Sequence, residues 1–284
     1  MSWFILALMS VLFYSFSTIF QKKLMGENNS DPVAFMIVFQ FLVTGILLIY
    51  ILFSHTTFPN LIYVWPNLIL NGILIAIGSL CMFKALKITE ASEYTIISTF
   101  SVIINLFFAS VFLHEVITLN KLIGTIFIIA SILIIALKAK NNPTKIHKGH
   151  LFSLLSAIGF GTAFSNESYI VGQIGVIQNL VIGFFLPGLL VLLIKPKSLQ
   201  HVRNLLPLTS LFKIIIFSIL YLFGAITIFA AYTQGGDAGK IYGISNSTVI
   251  ATVILSAIFL GEKDKPLRKI IATISAFAGI MLLR

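Results

Sequence analysis

Runs of apolar residues long enough to cross a lipid bilayer follow one another along this chain, and that feature removes most folds from consideration. Spanning roughly 30 Å of hydrocarbon takes about 20 mostly apolar residues in a helix. Such runs lie near 3–21, 33–53, 67–86, 93–113 and 121–137, then near 150–170, 174–194, 213–233, 240–260 and 267–283. In lipid the backbone can satisfy its polar groups only in a helix or a closed barrel, and run length selects the helix. The expected fold is an all-α integral membrane protein with ten transmembrane helices. Composition agrees: charged residues are 10% of the chain and mean hydropathy is +1.04, where a soluble domain carries roughly a quarter charged residues. The single cysteine, Cys81, lies inside an apolar run, so neither a disulfide framework nor a thiol metal site is expected.

The formal charge of +10 is a topology signal. Of the 19 Lys and Arg, all but Lys121, Lys240 and Arg284 fall in the loops joining runs 1–2, 3–4, 5–6, 7–8 and 9–10. Cytoplasmic loops carry the excess of Lys and Arg, so these loops are expected inside the cell and both termini outside it. No nucleic-acid partner is needed to explain the charge. The asymmetry also inverts between halves. Loop 1–2 holds Lys22 and Lys23 while its counterpart 6–7 holds none; loop 2–3 holds none while its counterpart 7–8 holds Lys195, Lys197, Arg203 and Lys213. Two inverted five-helix repeats are therefore expected, at 1–137 and 150–284, joined by a basic cytoplasmic linker at 138–149. Many secondary transporters share that architecture. The first run lacks a basic leader and carries its Lys pair on the far end, which reads as a retained anchor rather than a cleaved signal.

The halves also share a sequence pattern. "KALKITEASEYTIISTFSVIINLFFASVFLHE" (84–115) is matched by "AAYTQGGDAGKIYGISNSTVIATVILSAIFLGE" (230–262), keeping Ala91 with Ala238, Leu113 with Leu260 and Glu115 with Glu262. With ten runs and these paired "FLHE" and "FLGE" endings, the whole chain resembles the EamA-type members of the drug/metabolite transporter superfamily. The resemblance implies a transporter with two homologous halves and carries the family glutamate over to Glu115 and Glu262. One departure is clear: relatives often have proline in the fourth and ninth spans, and this chain has none there.

Residues for chemistry are few. There is no phosphate loop for ATP, no H-E-x-x-H, no C-x-x-C and no carboxylate pair within a run. An enzyme, a cofactor and a metal site are not expected. His147 and His150 read as part of a solvated linker. Polar side chains within the runs are more informative. Tyr94, Ser98, Ser101 and Asn105 recur at helical spacing on the fourth run, which places them on one face. Ser245, Thr248, Thr252 and Ser256 do the same on the ninth, and Ser10, Tyr14, Ser17 and Gln21 on the first. Packing against the helix's own carbonyls explains any one hydroxyl; repeat-related stripes together suggest a central cavity. Asn246 and Gln40 join the cavity candidates because a buried amide needs several partners.

Among the acids, Glu90 and Glu93 are expected to pair with Lys84 and Lys87, with a gating role for Glu93 as the alternative. Glu167, near the end of the sixth run, is either interfacial or a coupling group, because an acid within the membrane is a functional candidate by default. Glu115 and Glu262 are expected to cap the helices that follow them, on opposite sides of the bilayer. They cannot form one catalytic dyad. Pro187–Gly188 can serve either as a hinge or as a static bend.

The expectation is a secondary transporter of the inner or plasma membrane, monomeric or a homodimer. It would move a small polar or amphipathic metabolite, such as an amino acid, by export, through a cavity lined by the first, fourth, sixth and ninth spans with help from the third and eighth. A lipid-headgroup flippase is the alternative.

Overall fold

Helix starts are written locally. Asp31 stands before Pro32, and its carboxylate accepts the Ala34 amide at 2.7 Å while the proline fills the first turn; an acid cap followed by a proline is a strong start signal. Pro66 and Pro266 sit in the first turns of later helices in the same way. The computed structural model describes residues 2–26, 31–112, 118–136, 147–205, 207–234, 241, 244–262 and 264–282. In order, its helices are α1 (Trp3–Met25), α2 (Pro32–Ser54), α3 (Trp65–Ile88), α4 (Ala91–Ser98), α5 (Phe100–Phe112), α6 (Leu119–Ala136), α7 (Lys148–Ile174), α8 (Val176–Ile194), the short α9 (Leu199–Val202), α10 (Leu208–Thr233), α11 (Thr248–Phe259) and α12 (Pro266–Leu282). No strand occurs among the described residues.

Six stretches are long and apolar enough to cross a membrane: Trp3–Met25, Pro32–Ser54, Trp65–Ile88, Ala91–Phe108, Val176–Ile194 and Ser210–Ala231. Leu119–Ile135 and Thr248–Phe259 are shorter apolar helices. The outer surface matches them, since Leu52 and Phe53 are 74% and 82% exposed and Ile126 and Ile274 project likewise. Such a surface is stable only against lipid or a partner. This is a multi-pass membrane protein.

Helix contacts run between the halves of the chain: α3 on α7, α1 on α10, α2 on α8, α6 on α12, and α11 against both α1 and α4. Small residues allow the tightest of these approaches. A Cβ on Gly159 of α7 would lie 2.9 Å from the Gly78 backbone of α3, and one on Gly279 of α12 would lie 2.6 Å from the Gly124 carbonyl of α6. Backbone-to-backbone contact at small residues is the usual membrane-helix solution, because lipid provides no hydrophobic drive between helices. Between α2, α3 and α10 the core is aromatic, with Phe39 and Phe217 centroids 4.8 Å apart and Phe35 and Phe83 5.3 Å apart.

Two expectations change. The fourth run is not one helix: it is interrupted at Thr99, between α4 and α5. The cause is a sequence of hydroxyls rather than a proline. Thr95, Ser98 and Thr99 donate to the carbonyls of Ala91, Thr95 and Ile96 at 2.7–2.8 Å, and the Thr99 and Val102 amides bond three residues back. Hydroxyls competing for helix carbonyls tighten and bend a helix. The ninth run is interrupted as well, at Asn246–Ser247, where the amides of Ser247, Val249 and Ile250 also bond three residues back. Ser98 and Ser245 align in the two repeats, so the two interruptions fall at matching places. Finally, Pro187 lies inside α8 without ending it, and Gly188 beside it gives room to Gln40, whose Cβ a Cβ at position 188 would approach to 2.9 Å.

Candidate functional site

Two adjoining chambers, each of about 200 Å³, lie inside the bundle. Tyr14, Phe160, Phe164, Tyr221 and Ser245 line both and form the wall between them.

The first chamber is lined by hydroxyls. Tyr14 and Ser17 from α1, Tyr94, Ser98 and Ser101 from α4 and α5, and Ser245, Asn246, Thr248 and Thr252 from the ninth run all meet there. The helical stripes read from spacing thus converge. Ser10, Asn105 and Ser256 are the exceptions and line neither chamber: Ser10 and Ser256 donate to the Ala7 and Val253 carbonyls of their own helices, and Asn105 stands beyond Ser101 on α5. Much of the donor capacity is already used, since Ser17 gives its hydrogen to the Tyr14 carbonyl at 2.8 Å and Ser98 to that of Thr95 at 2.7 Å. These hydroxyls therefore offer the chamber acceptor oxygens. The Gln21 amide nitrogen and the Thr252 hydroxyl are buried with no partner.

The second chamber is aromatic and acidic. Glu167, about 28 Å along α7 from its start at 1.5 Å per residue, lines it together with Gln40 from α2, Asn179 from α8 and Tyr221 from α10. Glu167 is held from α3, where Asn71 donates to it at 3.3 Å. Next to it Asn166 donates to the Asn67 carbonyl at 2.8 Å and fixes α7 against α3. Both side-chain atoms of Asn179 and the Gln40 carbonyl are buried without partners. A buried amide left open costs about 1–3 kcal/mol per group, so these atoms are placed to meet something. Phe39 stands edge-on to Phe184 at 5.7 Å and to Tyr221 at 5.1 Å, and Phe164 stacks on Phe229 at 6.4 Å. α2 thus supplies Phe39 beside the expected Gln40, and α8, absent from the expected lining, supplies Asn179 and Phe184. Asn71 and Asn179 had a signal in the sequence: each is an amide within an apolar run, with Asn67 one turn before the first and Gln178 beside the second.

The basic end of the bundle corrects the acid assignments. Glu90 and Glu93 do not pair with Lys84 and Lys87. Glu90 pairs with Lys269 of α12, while Glu93 bonds the His150 ring at 3.1 Å and accepts from Thr89 at 2.8 Å. Lys84 lies over the Phe152 ring instead, 5.4 Å from its centroid. His150 is 6% exposed, so it is no part of a solvated linker, and His147 caps α7 by accepting the Gly149 amide at 3.1 Å. No group of three metal-binding side chains occurs among the described residues.

Glu262 does cap a helix, but not the one that follows it. Its two oxygens accept the Ala91 and Ser92 amides at 2.8 and 3.1 Å and the Ser92 hydroxyl at 2.7 Å, closing the start of α4 in the other half of the chain. Gly261, at φ +67°, turns the chain toward that position, a left-handed conformation that glycine adopts without strain. Lys269 then donates to the Glu262 carbonyl at 3.0 Å, and Lys22 donates to those of Leu86 and Thr89 at 2.9 and 2.5 Å. Glu115 lies outside the described residues.

A model of the EamA-like transporter family matches residues 1–137 and again 147–284. An uncharacterized protein of Methanocaldococcus jannaschii, MJ1333.1, is 28% identical over 138 residues, which cover 47% of this chain and 95% of that protein. A crystal structure, described only as that of a protein, superposes with a TM-score of 0.67 at 14% identity, over 98% of this chain and 94% of its own. That likeness is one of fold.

Proposed function

The chain belongs to the EamA-like transporter family, and on that premise we propose that it is a secondary transporter working by alternating access around its two chambers. The observation that carries this reading is the matched pair of helix interruptions, at Thr99 and at Asn246–Ser247, both beside the hydroxyl-lined chamber. Broken helices at a central cavity are where transporters place their binding groups. Helix pairing supports two inverted five-helix repeats at 1–137 and 150–284, since α1 on α10 mirrors α7 on α3 while the pairs α2–α8 and α6–α12 map onto themselves. The cargo on this reading is a small polar or amphipathic metabolite, moved out of the cell on its own gradient or against protons. Cation placement supports both termini lying outside the cell membrane. The functional unit is a monomer or a homodimer.

The test is flux in liposomes. Purified protein is reconstituted and screened with labelled metabolites, with and without a pH gradient, beside a fluorescent-lipid scrambling assay. Saturable uptake of one class supports transport. Lipid scrambling without solute flux replaces the reading with a flippase. Orientation has its own check: alkaline phosphatase fused after Arg284 should be active and fused after Lys145 inactive.

A further inference from the structure

We propose that the acidic chamber binds organic monocations, with an ammonium group seated between the Glu167 carboxylate and the aromatic wall. This names the solute class of the transport reading, and it rests on that reading for the chamber's place on the route. Among the described residues, Glu167 is the only acid lining this chamber, and no Lys, Arg or His lines it. Its hydrogen bond among the described residues is the one from Asn71 at 3.3 Å, which leaves most of its acceptor capacity open. An ionised carboxylate out of water costs several kcal/mol unless paired, and nothing in the chamber wall supplies the positive charge.

The rest of the lining says which cation fits. Aromatic faces attract cations within about 6 Å of the ring centroid, and the attraction grows when the site is dry. Phe39, Phe184 and Tyr221 present a contiguous aromatic wall, with centroids 5.1–5.9 Å apart. Calcium and magnesium ask for about six or more oxygen ligands with several charges among them, and this lining brings one carboxylate; an organic ammonium asks for one anion and apolar contact. Asn179 and the Gln40 carbonyl, both buried and unpartnered, offer a second anchor for a polar group elsewhere on the solute. A volume of about 200 Å³ holds one small molecule.

The test uses three probes of matched shape: cyclohexylammonium, cyclohexanol and cyclohexanecarboxylate. Each is titrated into the purified full chain in detergent at neutral pH, with the thermal midpoint and calorimetry as readouts. The expected result is saturable binding of the cation, at least tenfold weaker binding of the alcohol and none of the carboxylate. Glu167→Gln should weaken the cation at least tenfold, and Phe184→Leu should weaken it less. Equal affinity for cation and alcohol overturns the proposal, as does a folded Glu167→Gln that binds the cation like the wild type. The probe series needs only the wild-type chain, so a poorly folded variant leaves the proposal testable. Cation binding without flux in liposomes removes the transport reading and keeps this one; flux of neutral or anionic solutes without cation binding does the reverse.

Discussion

Glu262 and Glu167 are the same residue under opposite conditions. Glu262 accepts three hydrogen bonds at 2.7–3.1 Å, all at the first turn of α4, and Lys269 holds its backbone. Among the described residues Glu167 accepts one, at 3.3 Å, and it faces a chamber whose neighbouring amides are open. The difference is one of saturation. A carboxylate with its lone pairs filled by the fold is part of the fold, while one left open in a cavity within the membrane is waiting for a partner. Position in the sequence gives no such distinction.

The sharpest way to break this contrast is to remove the saturated acid. Glu262→Ala strands two helix amides and a hydroxyl beside the α4 dipole; the expected loss is about 2–4 kcal/mol, combining cap and charge-assisted bonds. Folded yield on fluorescence-detected size exclusion should collapse. A variant that elutes normally but moves a different solute would cancel the structural assignment. Gly159→Leu comes next. It forces a side chain into the Gly78 backbone, and overpacking of this kind costs about 1–3 kcal/mol; a lower thermal midpoint without a change in solute preference is expected. Glu167→Gln should do the opposite, keeping the thermal midpoint within a few degrees while liposome flux falls at least tenfold. A midpoint drop as large as that of Glu262→Ala would erase the contrast between the two acids. Smallest is Asn105→Leu. Because Asn105 lines neither chamber, flux should stay within about twofold, and a larger loss would extend the route past Ser101.

The sequence carried the spans and the hydroxyl stripes because both are local: length and a 3.6-residue period survive without any knowledge of neighbours. Tyr14, Ser98 and Thr248 were readable for that reason. The partners of Glu93 and Glu262 were not, since His150 and Ser92 come from 57 and 170 residues away. The aromatic wall was hidden by a different cause. A membrane protein is apolar outside as well as inside, so Phe39 in the chamber wall, Phe35 in the core and Phe53 on the outer surface look alike in a chain with 26 phenylalanines. Polarity marks a cavity when hydroxyls line it and is silent when rings do. The interruption at Thr99 was missed because a break written in hydroxyls leaves every amide present, unlike one written in proline.

The cap on α4 bears on whether this chain is divisible. Each half has its own match to the family, which invites the picture of two modules tied by a linker. Yet the first half opens α4 with bare amides at Ala91 and Ser92, and the acid that closes them is residue 262. Severed at the midpoint, the amino-terminal piece would be missing a helix terminus rather than merely a neighbour. In this chain, the unit that can be expressed alone is therefore larger than the unit that repeats.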